Sequence, residues 1–189
     1  MLYNFPLQPG KEISDRFLQK GVNDFQSALV YVQDLPYKRN SHKNYAWVVL
    51  EEEYGTCSTK HALLKLLADE NDHHQIKLMM GIYRMNGVNT PPVKSILEKY
   101  KLEYMPEAHN YLRTGAKVID ITKRGFANTL FVHDLLEEEE ITPDQINAYK
   151  VSRHKAFLAQ WLEANKQVSY HLEELWQIRE ACIEALAGQ

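Results

Sequence analysis

The stretch from Cys57 to Met85 constrains this chain more than any other. CSTKHALLKLLAD places Ala62, Leu63, Leu66 and Leu67 on one stripe, widened by Leu64, which is the spacing of an amphipathic helix. Thr56 or Ser58 stands where a helix needs a side-chain cap. After the polar break ADENDHH the pattern changes. IKLMMGIYRM has β-favouring and apolar residues without helical spacing and reads as a strand. The fold must therefore hold a helix that leads directly into a sheet.

Residues 12–35 read as one helix, with Phe17, Leu18, Val22, Phe25, Leu29 and Val32 at spacings of three and four, stopped by Pro36. The opening LYNFPLQPGKE reads as an irregular arm and LPYKRNSHKN as a loop, while AWVVLEEEYG fits a short helix or a strand equally. NGVNTPPV breaks the chain, and residues 93–100 suit a short helix. In EAHNYLRTGAKVIDIT two extended runs flank Thr114-Gly115, a hairpin signal. Thr142 and Pro143 suit a helix start, and the chain then reads helical to Leu186, with a break near residues 165–169. Helices, then strands, then helices give an α+β fold with segregated elements rather than alternating βαβ units. At 189 residues one domain is expected, with a core at about 45–125 and a helical extension at about 142–187.

Charge and cysteine content narrow the function. The formal net charge is -3, and no basic surface of a general nucleic-acid binder is visible. No run approaches the length of a membrane span, and the N-terminus does not read as a signal peptide. Two cysteines, Cys57 and Cys182, make no disulfide framework, so a reducing cytoplasm is expected. No cofactor is implied. His61, His73 and His74, with Asp69 and Asp72 nearby, match no zinc spacing. Asp134 and Glu137–Glu140 lack the pattern of a calcium loop and read as a solvated face. No metal is therefore expected. Lys38, Arg39, His42 and Lys43 form a small basic loop, read as ordinary surface or as one rim of a substrate cleft.

Cys57 follows a Gly-Thr turn at the start of its helix. A thiolate is the reactive form of cysteine, and it is favoured by an imidazolium and by the positive end of a helix. If the hairpin loop is Thr114-Gly115, His109 falls opposite Asp120, with Cβ atoms about 5 Å apart. A carboxylate on the second ring nitrogen orients a catalytic imidazole. Cys182 lies in the helical tail with no such partners and reads as packing. A weaker redox reading has Cys182 resolving an oxidised Cys57.

Gly55-Thr56-Cys57 opening a helix, His109 in PEAHNYL and Asp120 in IDIT together resemble the transglutaminase-like branch of the papain-like cysteine fold. The resemblance covers about residues 45–125. It implies a nucleophile-bearing helix packed on an antiparallel sheet, with Cys57 as nucleophile, His109 as base and Asp120 orienting the ring. Tyr111 stands where the family often has Trp, and Asp120-Ile121-Thr122 where it has Asp-Pro-Thr. The papain-type oxyanion Gln falls on Glu51; Trp47 and Asn44 are the candidate donors. The implied activity is acyl transfer or hydrolysis at an amide or peptide bond through a Cys57 thioester, with a peptide, protein or other amide as partner. The alternative is an inactive domain of the same fold that binds a peptide or protein.

Overall fold

The computed structural model describes residues 4–124 and 130–187. It is α+β, with seven α-helices and a four-stranded antiparallel sheet among the described residues. The chain divides into two compact units. The first comprises residues 1–80, 110–129 and 139–147, and the second residues 81–109, 130–138 and 148–189. The helical tail thus shares a unit with residues 81–109 from the middle of the chain.

In the first unit, the irregular arm is as expected over its described residues; Met1–Tyr3 lie outside them. Phe5 stacks on Phe25, with ring centroids 4.7 Å apart. The expected long helix is two helices, α1 (Glu12–Gln19) and α2 (Phe25–Asp34). Gly21 separates them at φ 77°, a left-handed conformation that glycine adopts without strain. Its N–H bonds Leu18 C=O at 2.9 Å, and the Val22 N–H bonds Phe17 C=O at 3.0 Å. These are the paired bonds of a Schellman stop. Asp24 then caps α2 by accepting from the Ser27 N–H at 2.8 Å.

AWVVLEEEYG resolves as the short helix α3 (Val48–Glu52). The striped helix is α4 (Cys57–Glu70), against which α1, α2 and α3 all pack. Leu63, Leu64 and Leu67 are fully buried. Glu70, the last residue of α4, accepts the Ile13 and Ser14 N–H groups at 2.9 Å and supplies the cap that α1 lacks in its own sequence.

The sheet runs in the order β3-β2-β1-β4. Its strands are β1 (Lys77–Met85), β2 (Met105–Thr114), β3 (Lys117–Ile119) and β4 (Leu135–Glu140). The acidic run read as a solvated face is the edge strand β4. Glutamate is a poor strand former, but charge on an edge discourages further strand pairing.

In the second unit, α5 (Lys94–Lys99) precedes β2, and the tail forms α6 (Ala148–Ala164) and α7 (Leu172–Ala187). The break at residues 165–171 falls where it is expected. Thr142 and Pro143 open a 3-10 turn, Pro143–Ile146, rather than the long helix itself. Leu175, Ile178, Cys182 and Ile183 form the buried stripe of α7. Glu107 on β2 holds Arg179 through two bonds of 2.5 and 2.7 Å.

Candidate functional site around the head of helix α4

Two backbone bonds fix Gly55 beside the segment leaving α2: Gly55 N–H to Pro36 C=O and Lys38 N–H to Gly55 C=O, each 3.1 Å. A Cβ at Gly55 would lie 3.0 Å from both Lys60 Cγ and Thr59 Oγ1, and 3.1 Å from Val49 Cγ2. A side chain here would be crowded by its neighbours, and no special φ is involved. Thr56 follows as N-cap, and its N–H donates to Thr59 Oγ1 at 3.0 Å. The Thr59 hydroxyl in turn donates to Asn40 Oδ1 at 2.7 Å. Cys57 is the first residue of α4, as expected, and is 8% exposed. Its Sγ lies 3.9 Å from Ser58 Oγ.

Side chains from the first turn of α4 bind two further segments. Ser58 Oγ donates to Asn110 Oδ1 at 2.9 Å, and Asn110 Nδ2 donates to Met79 C=O at 3.0 Å. His61 is fully buried and sits between Cys57 and the segment leaving β3. Its Nε2 accepts the Ile121 N–H at 3.0 Å. That nitrogen must therefore carry a lone pair, so Nδ1 holds the proton and donates to Cys57 C=O at 2.8 Å. Asp120 Oδ1 lies 3.5 Å from the same Nε2. With Nε2 unprotonated, this approach is a neighbour contact and not an ion pair. Asp120 Oδ1 accepts from Thr122 N–H at 2.9 Å and from Thr122 Oγ1 at 2.6 Å, so the carboxylate holds its own turn.

Lys60 completes the attachment. Its side chain is fully buried, and its Nζ donates to Leu35 C=O at 2.6 Å and to Thr122 C=O at 3.0 Å. Burial pulls its pKa down to about 8, against the opposing pull of Asp120, Asp34 and Cys57. Sequence reading missed both Lys60 and His61 as structural centres of this turn. The available signal was a Lys-His pair placed within an otherwise apolar helix.

His109 lies on β2 in the second unit. Its ring meets Phe131 edge-on at 4.9 Å and Tyr83 at 6.0 Å, and the Tyr83 hydroxyl pairs with Thr90 Oγ1 at 3.2 Å. The hairpin is present, but its register is not the expected one. Leu112 faces Ile119, Arg113 faces Val118 and Thr114 faces Lys117, so the loop is Gly115-Ala116. Gly115 at φ 56° holds the first central position, and Ala116 does not share its positive φ. This is the pattern of a type II′ turn, in which glycine leads the loop instead of ending it. His109 and Asp120 are therefore not directly opposed. The slip is of two residues, and an even slip leaves each strand's set of faces unchanged.

Trp47 precedes α3, where it stacks on Tyr45 at 4.5 Å with the Arg16 guanidinium 5.4 Å from its ring. Asn44 is exposed in the loop before it. Lys38 of the basic loop lies over the Tyr54 ring at 4.4 Å. His73 stacks on Phe5, and His74 Nδ1 is 3.0 Å from Asp69. Cys182 is fully buried, and its thiol is pushed up to about 12 by burial and by the Glu107 carboxylate.

Comparison with known proteins finds no family model, no curated protein and no solved structure that matches this chain. The likeness to transglutaminase-like enzymes rests on the residues themselves.

Proposed function

We propose that the chain is a transglutaminase-like thiol enzyme that transfers or hydrolyses an acyl group at an amide or peptide bond. Cys57 Sγ attacks the carbonyl carbon, and the positive end of α4 stabilises the thiolate and the charge developing on the carbonyl oxygen. His109 takes the thiol proton and returns it to the leaving amine, leaving a Cys57 thioester. Water or an amine then resolves the thioester and regenerates the thiol. Asp120 is the proposed orienting group for the base, although the hairpin register does not set the two directly opposite each other. Trp47 and Asn44 remain the proposed side-chain donors to the oxyanion.

One observation carries this reading. The first turn of α4, which Cys57 opens, is bonded through His61 and Lys60 to the turn that holds Asp120, so the nucleophile and the carboxylate stand in one unit. A second reading, a domain that binds a peptide without turnover, is favoured by the low exposure of Cys57, 8%. A peptide bearing a thiol-reactive electrophile at its scissile position separates the two. The enzyme reading expects stoichiometric adduct at Cys57, abolished in Cys57→Ser and strongly slowed in His109→Ala. Tight peptide binding without adduct, or labelling indifferent to His109, supports the scaffold instead.

A further inference from the structure

We infer that Lys60 is a positioning residue of the Cys57 site, a buried cation that ties the Asp120 turn to the head of α4 and favours the thiolate of Cys57. This rests on the thiol chemistry proposed above. The geometry has three parts. Lys60 lies three residues after Cys57, so the two side chains share one face of the first turn. Helical side chains lean toward the N-terminus, which directs the Lys60 stem back over the turn that Cys57 opens. The stem runs against Gly55, where a Cβ would sit 3.0 Å from Lys60 Cγ. Its ammonium then spans two segments remote in sequence, through Leu35 C=O at 2.6 Å and Thr122 C=O at 3.0 Å.

A fully buried lysine is costly to keep charged, and two carbonyl acceptors hold this ammonium in place. The ionisable groups acting on it include Asp120, Asp34 and Cys57, which favour its charge, and Lys123, which opposes it. Cys57 is the group among them whose own ionisation the proposed chemistry requires. The influence is reciprocal: a cation held by a thiolate stabilises that thiolate equally. His61, one residue on, also touches the Asp120 turn, but its ring is bonded on both nitrogens as the neutral form and supplies no positive charge.

The test is the pH dependence of Cys57 alkylation by iodoacetamide in the full chain, read by peptide mass spectrometry for wild type, Lys60→Met and Lys60→Gln. Glutamine keeps a donor for the carbonyls and removes the charge. The inference expects both variants to move the Cys57 midpoint up by about one pH unit, so that alkylation near neutral pH slows about tenfold. A Lys60→Gln profile that superimposes on wild type overturns it while leaving the thiol enzyme standing. A wild-type Cys57 that reacts only on unfolding overturns the enzyme reading, and the role of Lys60 with it. A second measurement needs no substitution. The Lys60 ammonium is titrated by NMR before and after Cys57 is blocked with a neutral carbamidomethyl group. Its midpoint should fall on blocking, and an unchanged midpoint counts against the inference even if neither variant folds.

Discussion

Replacing Lys60 by methionine should change how stability depends on pH, and the sign follows from the buried ammonium. Burial lowers the Lys60 pKa from 10.5 to about 8 in the folded chain. Below pH 8 the folded chain carries the desolvated charge in full. Between 8 and 10.5 the folded lysine is neutral while the unfolded one is still protonated. The unfolded state then binds more protons, so stability rises with pH in that window. The displacement corresponds to about 3 kcal/mol in total, of which about 2–3 kcal/mol falls between about pH 7 and about pH 10. Lys60→Met removes this gain but leaves two carbonyls without their donor, so the variant should compare worst with wild type at high pH. The Cys182 thiol, at about 12, acts in the opposite sense above its ordinary value of 9.0, but it is present in both proteins and cancels in the difference. Urea unfolding of both proteins at the two pH values measures the gap directly. A gap that stays constant, or that narrows as pH rises, would mean that Lys60 is not a depressed, desolvated ammonium.

Gly55→Ala should lower stability by about 1–3 kcal/mol in urea melts, because the new methyl meets Lys60 Cγ, Thr59 Oγ1 and Val49 Cγ2 at about 3 Å. Glu107→Gln removes one of the two carboxylates paired with the buried Arg179 guanidinium, leaving Glu180 at 2.6 Å, and should cost about 1–3 kcal/mol, seen as a lower urea midpoint with little change in slope. Cys182 should resist alkylation in the native protein near neutral pH, since its thiol ionises only at about 12; peptide mass spectrometry after a timed pulse checks this.

Where local pattern and tertiary demand agree, the structure was legible in the sequence. Helix α4 and strand β1 fall where the stripe and the β-run place them, and the tail breaks at its polar stretch. The apolar spacing of residues 12–35 continues across Gly21, so periodicity alone could not show that a left-handed glycine divides it. The hairpin was visible, but Thr-Gly-Ala admits glycine as the second or the first residue of the loop, and the II′ turn takes the first. Strand β4 was hidden by its glutamates, which belong there as edge residues. At the candidate site, Cys57 as the first helical residue was readable from its turn and cap. Lys60 and His61 were not, because their partners are backbone groups of Leu35, Ile121 and Thr122, which carry no side-chain signature.

The proposed chemistry needs Cys57 to be an activated thiol and not a packed one. Its alkylation rate against pH in the folded chain, with Cys182 as the internal reference, separates the two. Rapid reaction at Cys57 is expected well below the ordinary thiol range, lost in His109→Ala, while Cys182 stays inert. A Cys57 that is as slow as Cys182 until the chain unfolds contradicts that chemistry and leaves Cys57 as a residue of the core.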